Sequence, residues 1–253
     1  MTPATTIAAL LRAEHSDPFA VLGLHTLDGS HWLRALLPGA MAVDAIDVDG
    51  ELLAALVRRH DDGFFEARLP TRCHYRLRVT WHDGTRGSYA DAFAYGALLD
   101  DAALDALREG RHGRPFEVLG AHPLTIDDVS GVRFAVWAPN ARRVSVVGSF
   151  NNWDGRRHPM RLRHRAGVFE IFIPHAAIGD LYKYEIVGAN GALVAKSDPY
   201  AFAAELRPNT ASRVAQLPQL RPLPAARAAA NDRHAPISVY EVHVGSWGGG
   251  PEG

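Results

Sequence analysis

The chain has 253 residues, of which 47% are hydrophobic and 22% are charged, and its formal net charge is −1. That length suffices for one large globular domain or for two of about 100–150 residues each. A net charge so close to zero argues against a protein that binds nucleic acid or an anionic membrane through bulk electrostatics. No stretch approaches the roughly 20 apolar residues of a membrane-spanning helix, and the N-terminus lacks the features of a signal peptide.

Cys73 is the only cysteine, which excludes a disulfide scaffold and a cysteine zinc site and favours a reducing cytoplasm. We expect Cys73 to serve as a small apolar residue in a strand. The thirteen histidines include no pair with the spacing of zinc ligands on a helix or strand, so the sequence predicts no metal and no cofactor.

An internal repeat organises the chain. Residues 18–25, Pro-Phe-Ala-Val-Leu-Gly-Leu-His, recur 97 residues later as Pro-Phe-Glu-Val-Leu-Gly-Ala-His at 115–122. Further matches follow in the same order with a drifting offset. They pair 38–40 with 139–141, 63–66 with 167–170, 75–77 with 182–184, and 91–94 with 198–201. Ordered matches of this kind favour a duplicated unit over chance.

Each unit is predicted to begin with a short helix, over residues 5–12 and 101–108. The candidate N-caps have short polar side chains and are Thr5, Thr6, Asp100 and Asp101. Gly110 is a candidate stop for the second helix. Because helices this short are marginal in isolation, packing must hold both of them.

After each helix the apolar pattern changes to a period of two, which predicts short antiparallel strands separated by turns. In the first unit the predicted strands cover 32–37, 43–48, 64–69 and 75–81. In the second unit they cover 132–137, 144–147, 168–173 and 182–187. Strands with one apolar face need a second sheet to cover it, so each unit is predicted to be a β-sandwich.

Residues 207–235 are rich in proline, alanine and arginine, which predicts an extended connector. Residues 237–244 then form a dense β pattern, Ile-Ser-Val-Tyr-Glu-Val-His-Val, with no evident partner in the two sandwiches. We expect this strand to be the first of a further domain that the sequence does not contain. Because an unpaired apolar strand promotes association, we expect the removal of residues 236–253 to reduce self-association.

The second unit closely resembles bacterial glycogen branching enzymes, the 1,4-α-glucan branching enzymes, and the first unit resembles them more weakly. Two motifs carry much of the resemblance: Val-Ser-Val-Val-Gly-Ser-Phe-Asn-Asn-Trp-Asp-Gly-Arg at 144–156 and Tyr-Glu-Val-His-Val-Gly-Ser-Trp at 240–247. The other matching segments are 120–122, 131–141, 158–161, 182–186, 196–200 and 207–212.

The resemblance implies a mainly β fold of two tandem immunoglobulin-like β-sandwiches, each preceded by a short helix. A connector and the first strand of a missing α-amylase-type barrel would follow them. The implied domains are an N-terminal sandwich over 1–98, a glycogen-binding-module-type sandwich over 99–215, and the connector with the barrel strand over 216–253. A complete barrel takes about 250 residues alone, so none fits beside two sandwiches.

The resemblance also implies the N-terminal modules of an enzyme of glycogen synthesis that cleaves α-1,4 bonds and forms α-1,6 bonds by a retaining mechanism. Such chemistry needs two carboxyl groups about 5 Å apart in a cleft. No position here matches the family's catalytic carboxylates, and the acidic pairs at 61–62, 100–101 and 127–128 lie in predicted turns or helix starts. We therefore expect no catalytic residue in this chain. Its expected partners are glycogen or another α-1,4-glucan and the missing barrel.

Two alternative functions remain open. One is a stand-alone glucan-binding or scaffold protein, against which the strand without a partner argues. The other is the N-terminus of a different α-amylase-type enzyme, such as a trehalohydrolase or a debranching enzyme. The presence of two sandwiches, and of Trp247 after Gly-Ser, favours a branching enzyme over these relatives.

Trp153 and Lys183 match the tryptophan and lysine that contact glucan in related glycogen-binding modules. An indole in a turn can stack on the C–H face of a sugar. The loop at 188–193 has no second aromatic residue, so the single ring would contribute only about 1–2 kcal/mol. The alternative for Trp153 is packing against the missing barrel. Trp137 is expected in the core, because the aligned residue of the first unit is Leu36.

Two further features invite a functional interpretation. Asp-Pro-Tyr at 198–200 is expected to form a turn that closes the second sandwich rather than a site. His25 and His122 hold equivalent points of the repeat, which favours a shared structural role over metal binding.

Overall fold

A computed structural model describes residues 1–217, 222, 224–230 and 232–243. Residues 1–216 form one compact unit, which contains both sandwiches, and residues 217–253 form a second unit. Among the described helices, none is both long enough and apolar enough to cross a membrane.

The first sandwich is a single antiparallel sheet of seven strands that folds over on itself. The strands are β1 (Gly23–Leu27), β2 (Ser30–Leu36), β3 (Ala40–Ile46), β4 (Leu52–His60), β5 (Phe64–Leu69), β6 (Arg76–Trp81) and β7 (Arg86–Tyr89). They lie in the order β1-β2-β5-β4-β3-β6-β7. The first half of β4 pairs with β3 and the second half with β5, so this strand passes from one layer to the other. Leu33, Phe65 and Val79 lie in the core between the layers.

The second sandwich has two separate antiparallel sheets. Its strands are β8 (Gly120–Ile126), β9 (Val129–Trp137), β10 (Ala141–Gly148), β11 (Arg161–Arg163), β12 (Val168–Pro174), β13 (Leu181–Gly188), β14 (Leu193–Lys196), β15 (Ala203–Ala204) and β16 (Ser212–Arg213). One sheet has the order β11-β12-β9-β8, and the other has the order β10-β13-β16-β15 with β14 also paired to β13. Phe134, Phe169 and Tyr182 fill the core between them. The mainly β, immunoglobulin-like sandwich fold expected from the sequence is confirmed.

The eight strands predicted within the two sandwiches all form, with ends that differ from the prediction by a few residues. The sequence did not reveal several others, namely β1, β4, β7, β8, β11, β14, β15 and β16. Those strands are short, or they lie at sheet edges, or they lack the alternation of one buried and one exposed face. The domain boundaries at 98/99 and 215/216 remain predictions.

Both predicted helices form, as α1 (Ala4–Leu11) and α2 (Asp101–Arg108). The Asp100 carboxylate accepts a hydrogen bond of 3.2 Å from the Ala103 amide, as expected of an N-cap, and Gly110 has the left-handed φ of a helix stop. The prediction of Thr5 or Thr6 as N-cap is wrong. The helix α1 begins directly after Pro3, without a side-chain cap, and both threonines lie inside it.

The described part of the second unit differs from the expected connector and strand. A short helix, α3 (Ala225–Ala230), interrupts the connector, in keeping with the high helix propensity of its alanines. Residues 237–243 contain no strand, and residue 244 lies outside the described residues. None of the sheets formed by the described residues includes this segment.

Cys73 also departs from its prediction. It lies in the loop before β6 rather than in a strand, and it packs, half-buried, against the core of the first sandwich. Its apolar role is therefore as expected, although its secondary structure is not.

The two sandwiches share an apolar contact within the first unit. Phe19 and Ala92, both from the first half of the repeat, are buried in the core cluster of the second sandwich. Phe93 packs at the edge of that cluster, with its ring centroid 4.9 Å from that of Phe19. The first sandwich thus supplies part of the second one's core.

Candidate functional site

Trp153 lies on the turn that follows β10. A single 3-10 turn over Ser149–Asn151 leads into Asn152 and Trp153, which have left-handed φ values of 56° and 59°. The Trp153 amide donates a hydrogen bond of 3.1 Å to the Gly148 carbonyl, which ties the turn back to the strand. The indole is 44% exposed, as a ring that stacks on a ligand must be.

A buried asparagine fixes this turn from inside. The Asn151 amide group donates to the Val146 carbonyl at 2.8 Å, and its Oδ1 accepts from the Gly148 amide at 2.9 Å. Asn151 Nδ2 also lies 2.9 Å from Nδ1 of His158. Burial lowers the pKa of His158 to about 3, so the ring is neutral and its Nδ1 can accept this hydrogen bond. Several short hydrogen bonds therefore fix the backbone of the turn that carries Trp153.

An ion pair supports the far end of the turn. The buried Arg143 guanidinium donates to the Glu185 carboxylate at 2.7 Å and to the Gly155 carbonyl at 3.3 Å. A Cβ at Gly155 would lie 2.1 Å from Glu185 Oε1, so a larger residue there would push this carboxylate away from its present position. The turn is thereby attached to both β10 and β13.

Lys183 lies on β13, beside the root of the same turn. In the sheet, Lys183 pairs with Val147 and Tyr182 pairs with Gly148, the residue to which the Trp153 amide is bonded. The Lys183 ammonium donates a hydrogen bond of 2.8 Å to the Thr210 hydroxyl. The fold therefore brings Trp153 and Lys183 to the same end of the β10–β13 pair. Trp153 provides an apolar ring there, and Lys183 provides a strong hydrogen-bond donor.

The expectation that Trp137 belongs to the core is wrong, because its side chain is 59% exposed. Along β9 the side chains of Val132, Phe134 and Val136 enter the core. Since side chains alternate along a strand, Trp137 must face the other way. It stands on the sheet that does not carry the Trp153 turn.

Asp198 is a structural residue of the second sandwich. Its buried carboxylate accepts hydrogen bonds from the Tyr182 hydroxyl at 2.6 Å, from the Tyr184 hydroxyl at 3.2 Å and from the Tyr200 amide at 2.8 Å. Burial raises the pKa of Asp198, and these hydrogen bonds oppose that shift. These three hydrogen bonds hold the loop at 198–200 in place, which agrees with the turn expected to close the second sandwich.

The repeated histidines also make equivalent contacts. Nε2 of His25 lies 2.8 Å from the Leu22 carbonyl oxygen, and Nε2 of His122 lies 3.0 Å from the Leu119 carbonyl oxygen. Both rings hold the entry to the first strand of their sandwich, so a structural role accounts for both. Within the described residues, no three histidine, cysteine or acidic side chains form a group that could hold a metal.

The residues that position Trp153, namely Asn151, His158 and Arg143, were not identified from the sequence. The consecutive asparagines at 151–152 were a signal, because asparagine tolerates left-handed backbone and bonds to it locally. The long-range partners Arg143 and Glu185 gave no signal, since they are 42 residues apart.

Two family models match the chain. Residues 3–93 match "alpha-1,4-glucan branching enzyme GlgB, N-terminal domain". Residues 118–201 match "Carbohydrate-binding module 48 (Isoamylase N-terminal domain)", and this segment contains both Trp153 and Lys183.

Among solved structures, the chain is similar to pullulanases. It is 20% identical to a pullulanase from Anoxybacillus sp. LM18-11 complexed with maltotetraose, over 75% of this chain and 26% of that one, with a TM-score of 0.34. It is also 20% identical to Klebsiella pneumoniae pullulanase complexed with maltotriose, over 77% of this chain and 21% of that one, with a TM-score of 0.34. The chain thus spans about a quarter or less of the length of these proteins.

Proposed function

We propose that this chain is the N-terminal part of an α-1,4-glucan branching enzyme and that it binds α-1,4-glucan through Trp153 and Lys183. The matches of residues 3–93 to a branching-enzyme N-terminal domain and of residues 118–201 to a carbohydrate-binding module support this proposal. One observation carries this proposal: a half-exposed indole lies on a turn that buried hydrogen bonds hold, at the same end of the β10–β13 pair as Lys183. A preorganised ring loses little conformational entropy on binding, so more of the stacking energy contributes to affinity.

The chemistry of the two side chains suits a glucan. A glucosyl ring has apolar C–H faces that can lie on the indole, and its hydroxyl groups can accept hydrogen bonds from the Lys183 ammonium. Among the described residues, Lys183 has one hydrogen-bond partner, the Thr210 hydroxyl, and an ammonium group has three donors. A glucan hydroxyl can therefore bind Lys183 without displacing Thr210.

In the intact enzyme we propose that this module holds a glucan chain while a catalytic barrel cleaves α-1,4 bonds and forms α-1,6 bonds. The catalytic carboxylates would belong to that barrel, so the 253-residue chain would have no branching activity alone. The reducing cytoplasm, which the free Cys73 favours, is the proposed location.

Binding of maltoheptaose tests the proposal, with cellohexaose as the β-linked control ligand. Trp153→Ala should weaken binding at least about fivefold, since a stacked ring contributes about 1–2 kcal/mol. Trp137→Ala is a matched control, because it removes an exposed tryptophan from the other sheet, and it should leave the affinity unchanged. Equal losses in both variants, or none in either, would refute the role of Trp153.

The chain's two lysines provide a second matched pair. Lys183→Ala should weaken maltoheptaose binding, whereas Lys196→Ala, on the exposed edge strand β14, should not. Branching activity of the purified chain above background would contradict the proposal that it lacks catalytic groups.

A further inference from the structure

A groove of about 680 Å³ lies between the two sandwiches, within the first compact unit. The β6–β7 hairpin lines one side of it, through residues that include Trp81, Thr85 and Tyr89. The turn that carries Trp153 lines the other side, through Asn152 and Arg157. Both halves of the repeat thus contribute to a single cavity, which the proposed glucan contact at Trp153 does not use.

The Tyr89 ring forms a platform in this groove. It lies across Gly87, because a Cβ added at Gly87 would be 2.6 Å from the Tyr89 Cζ. The Trp81 ring packs against it in a T-shaped arrangement, with centroids 6.2 Å apart and planes at 74°, and Trp81 Nε1 lies 3.3 Å from the Tyr89 hydroxyl oxygen. The side chain is nevertheless 40% exposed. A ring backed by a glycine and packed against a second aromatic ring can receive a flat apolar ligand.

The charged groups that line the groove are one cation, Arg157, and two carboxylates, Asp83 and Asp91. Among the described residues, the buried Nε of Arg157 has no hydrogen-bond partner. The Arg157 guanidinium lies 4.9 Å from the Trp81 ring centroid and donates to the Pro38 carbonyl at 2.6 Å. The Asp83 carboxylate accepts from the amide and the hydroxyl of Thr85, at 2.9 and 2.6 Å. The Asp91 carboxylate accepts from the Tyr75 hydroxyl at 2.6 Å and from the Phe93 amide at 3.0 Å. With two carboxylates and one guanidinium, the lining has no excess positive charge, which suits a neutral ligand better than a phosphate or an acidic peptide.

We propose that the groove is a second glucan site, in which a glucosyl ring stacks on Tyr89. A glucan is neutral, offers apolar C–H faces to an aromatic ring, and presents hydroxyl groups to the polar rim. Here that rim includes Asn152, His82 and His175. This inference rests on the proposed function for its ligand, but it concerns different residues. Trp153 directly follows Asn152, so the two sites share one turn.

Nuclear magnetic resonance of the full 253-residue chain can follow both sites separately, through the indole N–H signals of Trp81 and Trp153. Maltoheptaose should shift both signals in the wild-type chain. It should still shift the Trp81 signal in the Trp153→Ala variant. Tyr89→Ala should weaken the affinity read from Trp81 by roughly fivefold to tenfold, whereas Tyr89→Phe, which keeps the ring, should change it by less than about twofold.

A glycine pair tests the geometry without removing the ring. Gly87→Ala should displace the Tyr89 ring and weaken the groove site. Gly96→Ala, where a Cβ meets no atom within 4 Å, should not. A Trp81 signal that stays fixed while Trp153 shifts would overturn the groove site and leave the proposed function standing. A shift of Trp81 alone would support the groove and overturn the Trp153 site, and no shift in either would overturn both.

Discussion

Glu66 and Glu170 occupy equivalent positions in the two sandwiches and bind the same part of the chain in each. The Glu66 carboxylate accepts hydrogen bonds from the amide and hydroxyl of Thr2, at 3.2 and 2.8 Å. Glu170 accepts from the amides of Leu98 and Leu99, both at 3.0 Å. Each buried carboxylate therefore anchors the segment that leads into the short helix of its own unit.

The ion pairs of these carboxylates are also repeated. Glu66 lies 3.4 Å from Arg59, and Glu170 lies 2.6 Å from Arg163. Arg163 lies 104 residues after Arg59, and Glu170 lies 104 residues after Glu66. The sequence match between 63–66 and 167–170 has the same offset. Tyr75 and Asp91 likewise repeat the contact between Tyr182 and Asp198, with the same distance of 2.6 Å. The repeat found in the sequence is thus a repeat of buried polar contacts.

Glu170→Gln should lower the free energy of unfolding by about 2 kcal/mol, because it leaves Arg163 without its buried anion. Urea denaturation measures the change. Glu117→Gln is the matched control, since Glu117 pairs with Arg114 at the exposed surface, where such a pair contributes about 0–1 kcal/mol. Equal losses from both variants would contradict an anchoring role for Glu170.

The sequence revealed the fold where local pattern carries the information. The run at 168–173, Val-Phe-Glu-Ile-Phe-Ile, is rich in β-branched and aromatic residues and forms β12. Asp100 precedes a helix that it caps. The strand β4 was missed because its residues, Leu-Leu-Ala-Ala-Leu-Val-Arg-Arg-His, show no alternation. Its bend between two layers depends on β3 and β5, which no local pattern encodes.

The candidate site was predictable only in part. The alternation at 132–137 already places Trp137 on the face opposite Phe134, outside the core between the two sheets. Its exposure does not follow from that alternation, because Ala135 on the same face is fully buried beside Leu104 of α2. The orientation of Trp153 could not be predicted from the sequence. It depends on two consecutive residues with left-handed φ and on the buried contact of Asn151 with His158. The groove needs both sandwiches at once, so sequence pattern gave no sign of Tyr89.

Phe19→Ala should lower the free energy of unfolding by about 3 kcal/mol, because this ring is buried in the core of the second sandwich. Its equivalent in the repeat, Phe116, is only half-buried, with Arg114 over its ring. Phe116→Ala should therefore cost less than half as much. Thermal or urea denaturation of the two variants compares them directly, and a larger loss for Phe116→Ala would show that the interface contact is unimportant.

Stability should fall as the pH falls from 7 to 5, in part through His158. The unfolded chain binds a proton at this residue near pH 6.5, whereas burial lowers the pKa of the folded state to about 3. The unfolded state therefore binds more protons in this interval, and His158 alone should cost about 2 kcal/mol at pH 5. His158→Asn keeps an acceptor for Asn151 and cannot be protonated, so the loss between pH 7 and pH 5 should shrink by that amount. An unchanged pH dependence in urea denaturation would contradict a buried neutral His158.

Residues 237–239 should promote self-association of the chain. Ile237 and Val239 are both more than three-quarters exposed, and they alternate as the apolar residues of a strand do. The double variant Ile237→Ser, Val239→Ser should sediment as a smaller species than the wild type at high concentration in analytical ultracentrifugation. Val48→Ser removes an equally exposed valine from the first sandwich and should have no effect. If the double variant associates as strongly as the wild type, the apolar segment is not the cause.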